Sequence, residues 1–380
     1  YWPWEDGDDA FAFTSAVYGP PRAIVGAPDF ASYDKFRCSS QLPLPKLSRW
    51  SGAVPPYTPS SPAAVQVWLL AAGPADGVPA EQTLAQIVME GGTVAVWQLR
   101  VDDLGDLELI GLNASGTALV NDGLIAFRIN GELTRLSITL SQDGADVDWG
   151  MGRLSFGAGG AQAAGYGGTL TSATLGTVVR VDIAPDGDVD DVALGHVVVS
   201  RVDQGFYTLQ SDLEARAGET AGARIARLCD EEGVEAVIVG SILRTTALGY
   251  QLPRTLVDLL KEAAAADGGI LHEPRDVLGV AYRTRMSIYS QAAALTLDYG
   301  GNEVSLLQPV DDDQFTRNDI EVTRVGGASA RRALEAGRLS AQAPPVGVGR
   351  YDEVIQLSLE NDAQPVGQAS WRLHLGTVDE

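Results

Sequence analysis

Residues 255–285 read TLVDLLKEAAAADGGILHEPRDVLGVAYRTR. Thr255 carries the hydroxyl of a good N-cap, and Asp258 stands three residues later, close to a capping box. Leu256, Leu259, Leu260, Ala263 and Ala264 recur at helical spacing and give the segment one apolar face. Asp267-Gly268-Gly269 stops the helix, because glycine reaches positive φ at no steric cost. Residues 270–273 then read as a strand, 274–276 as a turn and 277–283 as a returning strand. Helix, glycine pair and hairpin make an α+β unit, and none of its side chains forms a catalytic pattern.

Upstream, residues 218–233 read as a helix capped by Thr220, with Ala221, Ile225, Leu228 and Cys229 on one face and Gly233 at its end. Residues 234–239 follow as a strand and 240–253 as a loop. Downstream, 295–299, 320–324 and 355–359 are strand candidates. Asp362 is expected to cap a last helix that carries Pro365 in its first turn and Val366, Ala369, Ser370 and Leu373 on one face. The first 208 residues read as all β. Short apolar or alternating runs at 65–70, 93–101, 106–112, 133–141, 147–152, 177–182 and 195–200 are separated by Gly, Pro, Asp and Ser. Many short strands between turn signals point to a sandwich or jelly roll. The Pro- and Ser-rich stretch 55–62 and the Gly- and Ala-rich stretch 157–168 read as loops.

At 380 residues the chain has room for two or three domains, and 45% hydrophobic content supplies a core. The formal net charge of -23 argues against nucleic acid and an anionic bilayer as partners, since both would repel it. No apolar run approaches the ~18 residues of a membrane span. Cys38 and Cys229 stand far apart and read as small buried hydrophobes, with a disulfide as the alternative. Both chain ends look cut from something longer.

Chemistry is sparse. His196, His272 and His374 sit in apolar or strand-like runs without metal-ligand spacing. Metalloprotease, zinc, P-loop and nucleophile-elbow patterns are missing. Retaining glycosidases need two carboxyls ~5 Å apart. Asp186, Asp188 and Asp190 alternate, but a glycine and a proline make that stretch an exposed turn, as does Glu5-Asp6-Gly7-Asp8-Asp9. Either turn could offer oxygens to calcium, without EF-hand spacing. The expectation is therefore of no enzyme, no catalytic residue, no metal ligand and no cofactor, calcium aside. Trp50, Tyr57 and Tyr166 fall in expected loops and are the aromatics suited to sugar contact, whereas Trp68, Trp97 and Trp149 belong to the core.

The word order of residues 255–285 closely resembles a segment of minor tail proteins, of the tail-tip hub type, from phages of Streptomyces and related actinobacteria. GETAG at 218–222 through EEG at 231–233, RNDI at 317–320, VGRY at 348–351 and HLGTV at 374–378 are also similar to that family. YWPWED at 1–6, AVQVWLL at 64–70 and VALGHVVV at 192–199 resemble the concanavalin-like, laminin-G-type jelly rolls of such proteins. The resemblance implies a mixed β and α+β fold in three parts. These are a jelly roll over 1–209 whose first and last strands lie side by side, an α+β hub-like domain over 210–294 and a β-rich, truncated hub-like domain over 295–380. It further implies a virion component at the tail tip, made in the bacterial host cytoplasm. Its partners would be other tail proteins, further copies of itself as a trimer, and a host-surface glycan met by the jelly roll. The alternatives are a carbohydrate-active jelly-roll enzyme and a lectin-like adhesin.

Overall fold

In the segment Val96–Val101, VWQLRV, Trp97, Leu99 and Val101 are buried while Val96, Gln98 and Arg100 are only half-buried, the period of a strand with one covered face. The structure in which this is seen is a computed structural model. It describes all residues except 5, 7–9, 18–21, 34–41, 75, 77–80, 124–127, 130, 158–159, 188, 202–209, 290–292, 299–313 and 378–380. The chain divides into two units, Tyr1–Leu213 and Glu214–Glu380.

The first unit holds two antiparallel sheets. The larger runs β1 (Ala12–Phe13), β2 (Arg22–Val25), β5 (Arg49–Ala53), β14 (Thr177–Ile183), β7 (Gln82–Glu90), β8 (Val96–Val101), β9 (Leu107–Leu112), β10 (Ala118–Gly123). The smaller runs β13 (Gly160–Leu170), β12 (Asp146–Gly157), β11 (Leu133–Asp143), β6 (Ala64–Ala72), β15 (Ala193–Ser200), and β3 (Asp29–Tyr33) pairs separately with β4 (Leu42–Leu44). Trp50, Ile87, Trp97 and Val181 of the larger sheet share one core with Val67, Leu69, Ile138 and Met151 of the smaller. The two sheets therefore pack face to face. Trp68, Leu70 and Ala72 point to the other side of β6, where Leu42 and Leu213, the last residue of helix α1 (Gln210–Leu213), cover them. Trp2 pairs with Val197 through two backbone hydrogen bonds of 2.9 and 3.0 Å, which sets the opening segment beside β15.

The stretch expected as a Gly- and Ala-rich loop at 157–168 is instead largely strand β13, paired to β12 along its length. Its small residues answer to a close approach. A Cβ on Gly168 would stand 2.8 Å from Trp149 Cζ2, and one on Gly167 would stand 2.5 Å from the Trp149 carbonyl oxygen.

The second unit follows the reading of residues 255–285. Helix α3 (Leu256–Asp267) begins at Thr255, whose Oγ1 accepts from the Asp258 amide at 3.3 Å, and ends at Gly268 with φ 77°. Strands β17 (Ile270–His272) and β18 (Gly279–Arg283) form the hairpin, and β16 (Glu235–Val239) adds to β18 in parallel. Helix α2 (Ala221–Glu231) is capped by Thr220. The loop expected at 240–253 includes one 3-10 turn, Ile242–Arg244. A short helix α4 (Arg285–Tyr289) follows β18. A second sheet, β20 (Ser329–Ala333), β19 (Asp319–Arg324), β21 (Asp352–Leu357), lies with helix α5 (Gln364–Gly376).

The second unit takes in residues 214–294 of the expected 210–294 part together with the expected 295–380 part, while residues 210–213 fall in the first unit. Ala221, Leu228 and Leu260 lie in one buried cluster with Ile320, Val322, Leu357 and Ala369. Residues 295–298 form no strand, and residue 299 lies outside the described residues. Asp362 does not cap α5. It accepts from Arg324 Nε at 2.6 Å and the Ala328 amide at 2.8 Å, and the N-cap position falls on Ala363.

Candidate functional site

Alternation on the larger sheet turns one polar residue outward on each of four neighbouring strands. Ser51 on β5 pairs with Asp182 on β14, Asp182 with Gln86 on β7, and Gln86 with Gln98 on β8. Four strands at ~4.8 Å spacing spread this row over roughly 14 Å. Asp182 is the centre of it and is only 6% exposed. Its carboxylate accepts from Ser51 Oγ at 2.5 Å, Gln86 Nε2 at 2.8 Å and Arg180 Nε at 3.0 Å. The carboxylate is thus satisfied by three donors from three strands, which fixes the side chains around it. Arg49, Arg180 and Pro185 border a depression of about 360 Å³ over Ser51, Asp182 and Gln86. Such a surface presents a carboxylate, an amide, a hydroxyl and a guanidinium in fixed directions, a set suited to a polyhydroxylated ligand. Because Ser51 donates to Asp182, its oxygen lone pairs remain to accept or to attack.

The aromatics picked from the sequence part company. Trp50 is fully buried on β5, with its ring 4.4 Å from that of Trp4 and 5.6 Å from that of Phe13, so it is core and not a sugar platform. Its place in an expected loop is corrected by the pairing of β5 with β2 and β14. Tyr166 lies on β13, 45% exposed, 5.9 Å from the Trp149 ring. Tyr57 is half-buried in the segment after β5, and its hydroxyl oxygen accepts from the Val178 amide at 3.0 Å. Trp68, Trp97 and Trp149 are buried.

No cluster of three metal-ligating side chains forms among the described residues. Asp188, and Glu5, Asp8 and Asp9 of the other acidic turn, lie outside them, as does Cys38. Asp6 accepts from the Thr14 amide and hydroxyl. His272 and His374 are exposed. His196 is buried, at φ 50°, where the register of β15 against β6 shifts between Gly195 and Val198. Burial lowers its pKa to about 4, and its Nδ1 meets the Tyr1 hydroxyl at 2.6 Å. Burial also raises the Cys229 thiol.

Buried charges in the second unit tie segments together. Arg224, fully buried, donates to Glu219 and to the Arg216 and Gly249 carbonyls, and Arg227 joins Glu219 to Glu231 and Gln251. Burial works to raise the Glu219 carboxyl, but the two guanidinium groups outweigh it, so its pKa is lowered. Asp267, at the unfavourable C-terminal end of α3, is satisfied by the Tyr282 hydroxyl at 2.6 Å and the Thr246 and Arg285 amides.

No family model matches the sequence, and a search of curated proteins finds no match. Solved structures similar to this chain include three with viral or toxin origins. The enzymatically active domain of tailspike protein 2 from bacteriophage CBA120 is 13% identical over 53% of this chain and 31% of its own, with a TM-score of 0.36. The botulinum neurotoxin serotype D binding domain is 9% identical over 58% of this chain and 52% of its own, with a TM-score of 0.37. The carbohydrate esterase of Shiga toxin-encoding bacteriophage phi24B is 13% identical over 47% of this chain and 88% of its own, with a TM-score of 0.31. The chain thus spans about a third and about half of the first two proteins. These matches describe partial likeness of backbone. Against the expectation that the chain is not an enzyme stand an enzymatically active tailspike domain and a carbohydrate esterase among these similar structures.

Proposed function

We propose that the chain is a component of a phage tail and that its first unit, a concanavalin-like jelly roll, binds carbohydrate on the host surface. The polar row Ser51–Asp182–Gln86–Gln98 carries the reading. Burial of the Asp182 carboxylate costs free energy unless every bond to it is made, and here three side chains hold it on an open sheet face. The likeness of 64–70, 192–199 and 255–285 to actinobacterial phage minor tail proteins adds the virion setting. The second unit serves as the hub-like part, with copies of the chain and other tail proteins as its partners.

The test is binding of the purified chain to cell-wall polysaccharide from a panel of actinobacteria. Asp182→Asn and Gln86→Ala should each weaken retention while leaving the unfolding temperature of the other unit unchanged. Retention equal to wild type in both variants would refute the sheet-face site. Antibody against the chain should label tails in electron micrographs of virions; labelling confined to capsids would refute the tail assignment.

A second reading is favoured by one contact, the 2.5 Å hydrogen bond between Ser51 and Asp182. A hydroxyl oriented by a carboxylate on an open face suits an enzyme that removes acyl groups from polysaccharide. Release of acetate from acetylated polysaccharide, lost in Ser51→Ala, is the observation that would favour it over binding alone.

A further inference from the structure

A groove of about 640 Å³ lies beside the end of β15 and the segment after β5, and it shares no lining residue with the sheet-face depression. That volume falls in the range of small-ligand sites, roughly 300–1,000 Å³. Tyr1, Pro55, Pro56 and Tyr57 give it aromatic and pyrrolidine walls, and Ser200 and Arg201 add polar groups to its lining.

Both tyrosines are held before any ligand arrives. The Tyr1 carbonyl accepts from the Ala16 amide at 2.8 Å and the Ser15 hydroxyl at 3.2 Å, its hydroxyl meets His196 Nδ1 at 2.6 Å, and the neighbouring Trp2 is paired to Val197. His196, which meets Tyr1, takes φ 50°, a conformation unfavourable for a residue with a Cβ. Tyr57 is fixed by the Val178 amide, and the two prolines before it restrict the backbone that carries it. An aromatic ring that is immobile in the free protein binds at lower entropic cost.

We propose that this groove is a second saccharide site, in which the apolar C–H face of a pyranose ring stacks on Tyr57 and Tyr1 while Ser200 and Arg201 meet its hydroxyls. It goes beyond the sheet-face reading and stands without it, because the two sites have separate walls. Tyrosine supplies an apolar body for the ring face and a polar tip already satisfied by the protein, so the ring face is what the ligand meets.

The experiment is calorimetric titration of the full chain with cellotriose, chitotriose, mannotriose and trigalacturonate. At least one of the four should bind. Tyr57→Ala should weaken that binding about tenfold or more, and Tyr57→Phe should retain it. If Tyr57→Ala unfolds, Val17→Arg is read in its place, since Val17 is 64% exposed and lines the groove without entering the core. That added side chain should block the groove to the same degree. No binding of any of the four trisaccharides, or equal affinity in the folded Tyr57 or Val17 variant, overturns the proposal. Loss in Asp182→Asn with retention in Tyr57→Ala places binding on the sheet face and also overturns it.

Discussion

Stability of the first unit should fall as pH drops from 7 to 4, and one buried histidine should cause a measurable share of the fall. The His196 pKa lies at about 4 in the fold, against 6.5 for the free side chain, because burial disfavours the imidazolium. A lowered folded pKa means that the unfolded chain binds more protons between those values, so stability rises with pH across the window. At pH 4 the unfolded histidine is charged while the folded one is half so. Integration gives a loss of about 3 kcal/mol relative to pH 7 from this group. The perturbation is His196→Asn, since asparagine tolerates the left-handed backbone that position adopts. The absolute stability of the variant will drop as the Tyr1 contact is lost, but the dependence on pH is the diagnostic quantity. Urea unfolding followed by tryptophan fluorescence suits the assay, because six of the seven tryptophans lie in the first unit. Carboxylates that titrate in the same window act on both proteins and cancel in the difference. The wild type should lose about 3 kcal/mol more than the variant between pH 7 and 4. Identical pH dependence in the two would show that His196 is not buried as described.

Three further outcomes follow from packing and charge. Leu260→Ala, at a position only 2% exposed, should cost the second unit about 2–5 kcal/mol in calorimetry, and an unchanged transition would mean the α3 face is not buried. Glu219→Ala should cost about 3 kcal/mol by leaving Arg224 without its carboxylate, and Glu219→Gln less. The Glu219 contribution is complete above pH about 4.5 and is lost as pH falls through the lowered folded value, so both variants should unfold with less acid sensitivity than wild type; equal sensitivity refutes the ion-pair account. Gly168→Ala should destabilise the first unit by about 1–3 kcal/mol through contact with Trp149, and a neutral result would show that β13 can move away.

The second unit was the more legible half. Thr255, Gly268 and the alternation after it act locally, so caps, turn and hairpin follow from neighbours in sequence. The core that residues of 214–294 share with residues of 295–380 was not legible, because Ile320 and Ala369 meet Leu260 only through tertiary packing. Strand β13 was hidden because glycine and alanine signal loops unless an aromatic such as Trp149 demands close approach. The polar row was hidden for another reason. Ser51, Asp182 and Gln86 are separated by up to 131 positions and become neighbours only through strand order. Strand β7 lacks clean alternation, since Gln82, Thr83, Leu84 and Ala85 are all buried, so Gln86 gave no outward signal. Of the aromatics chosen for sugar contact, Tyr57 lines the groove beside the end of β15.

Strand β6 is hydrogen-bonded to β11 on one side and β15 on the other, and apolar clusters cover both of its faces. No local opening can expose its amides to solvent, because a partner strand and a covering layer must leave together. Its amide hydrogens should therefore exchange with deuterium last in the first unit, at a rate set by complete unfolding. That makes β6 a built-in clock for the sandwich. A saccharide that binds only the folded unit must slow this clock by a factor of one plus the ratio of its concentration to its dissociation constant, whether it sits on the sheet face or in the groove.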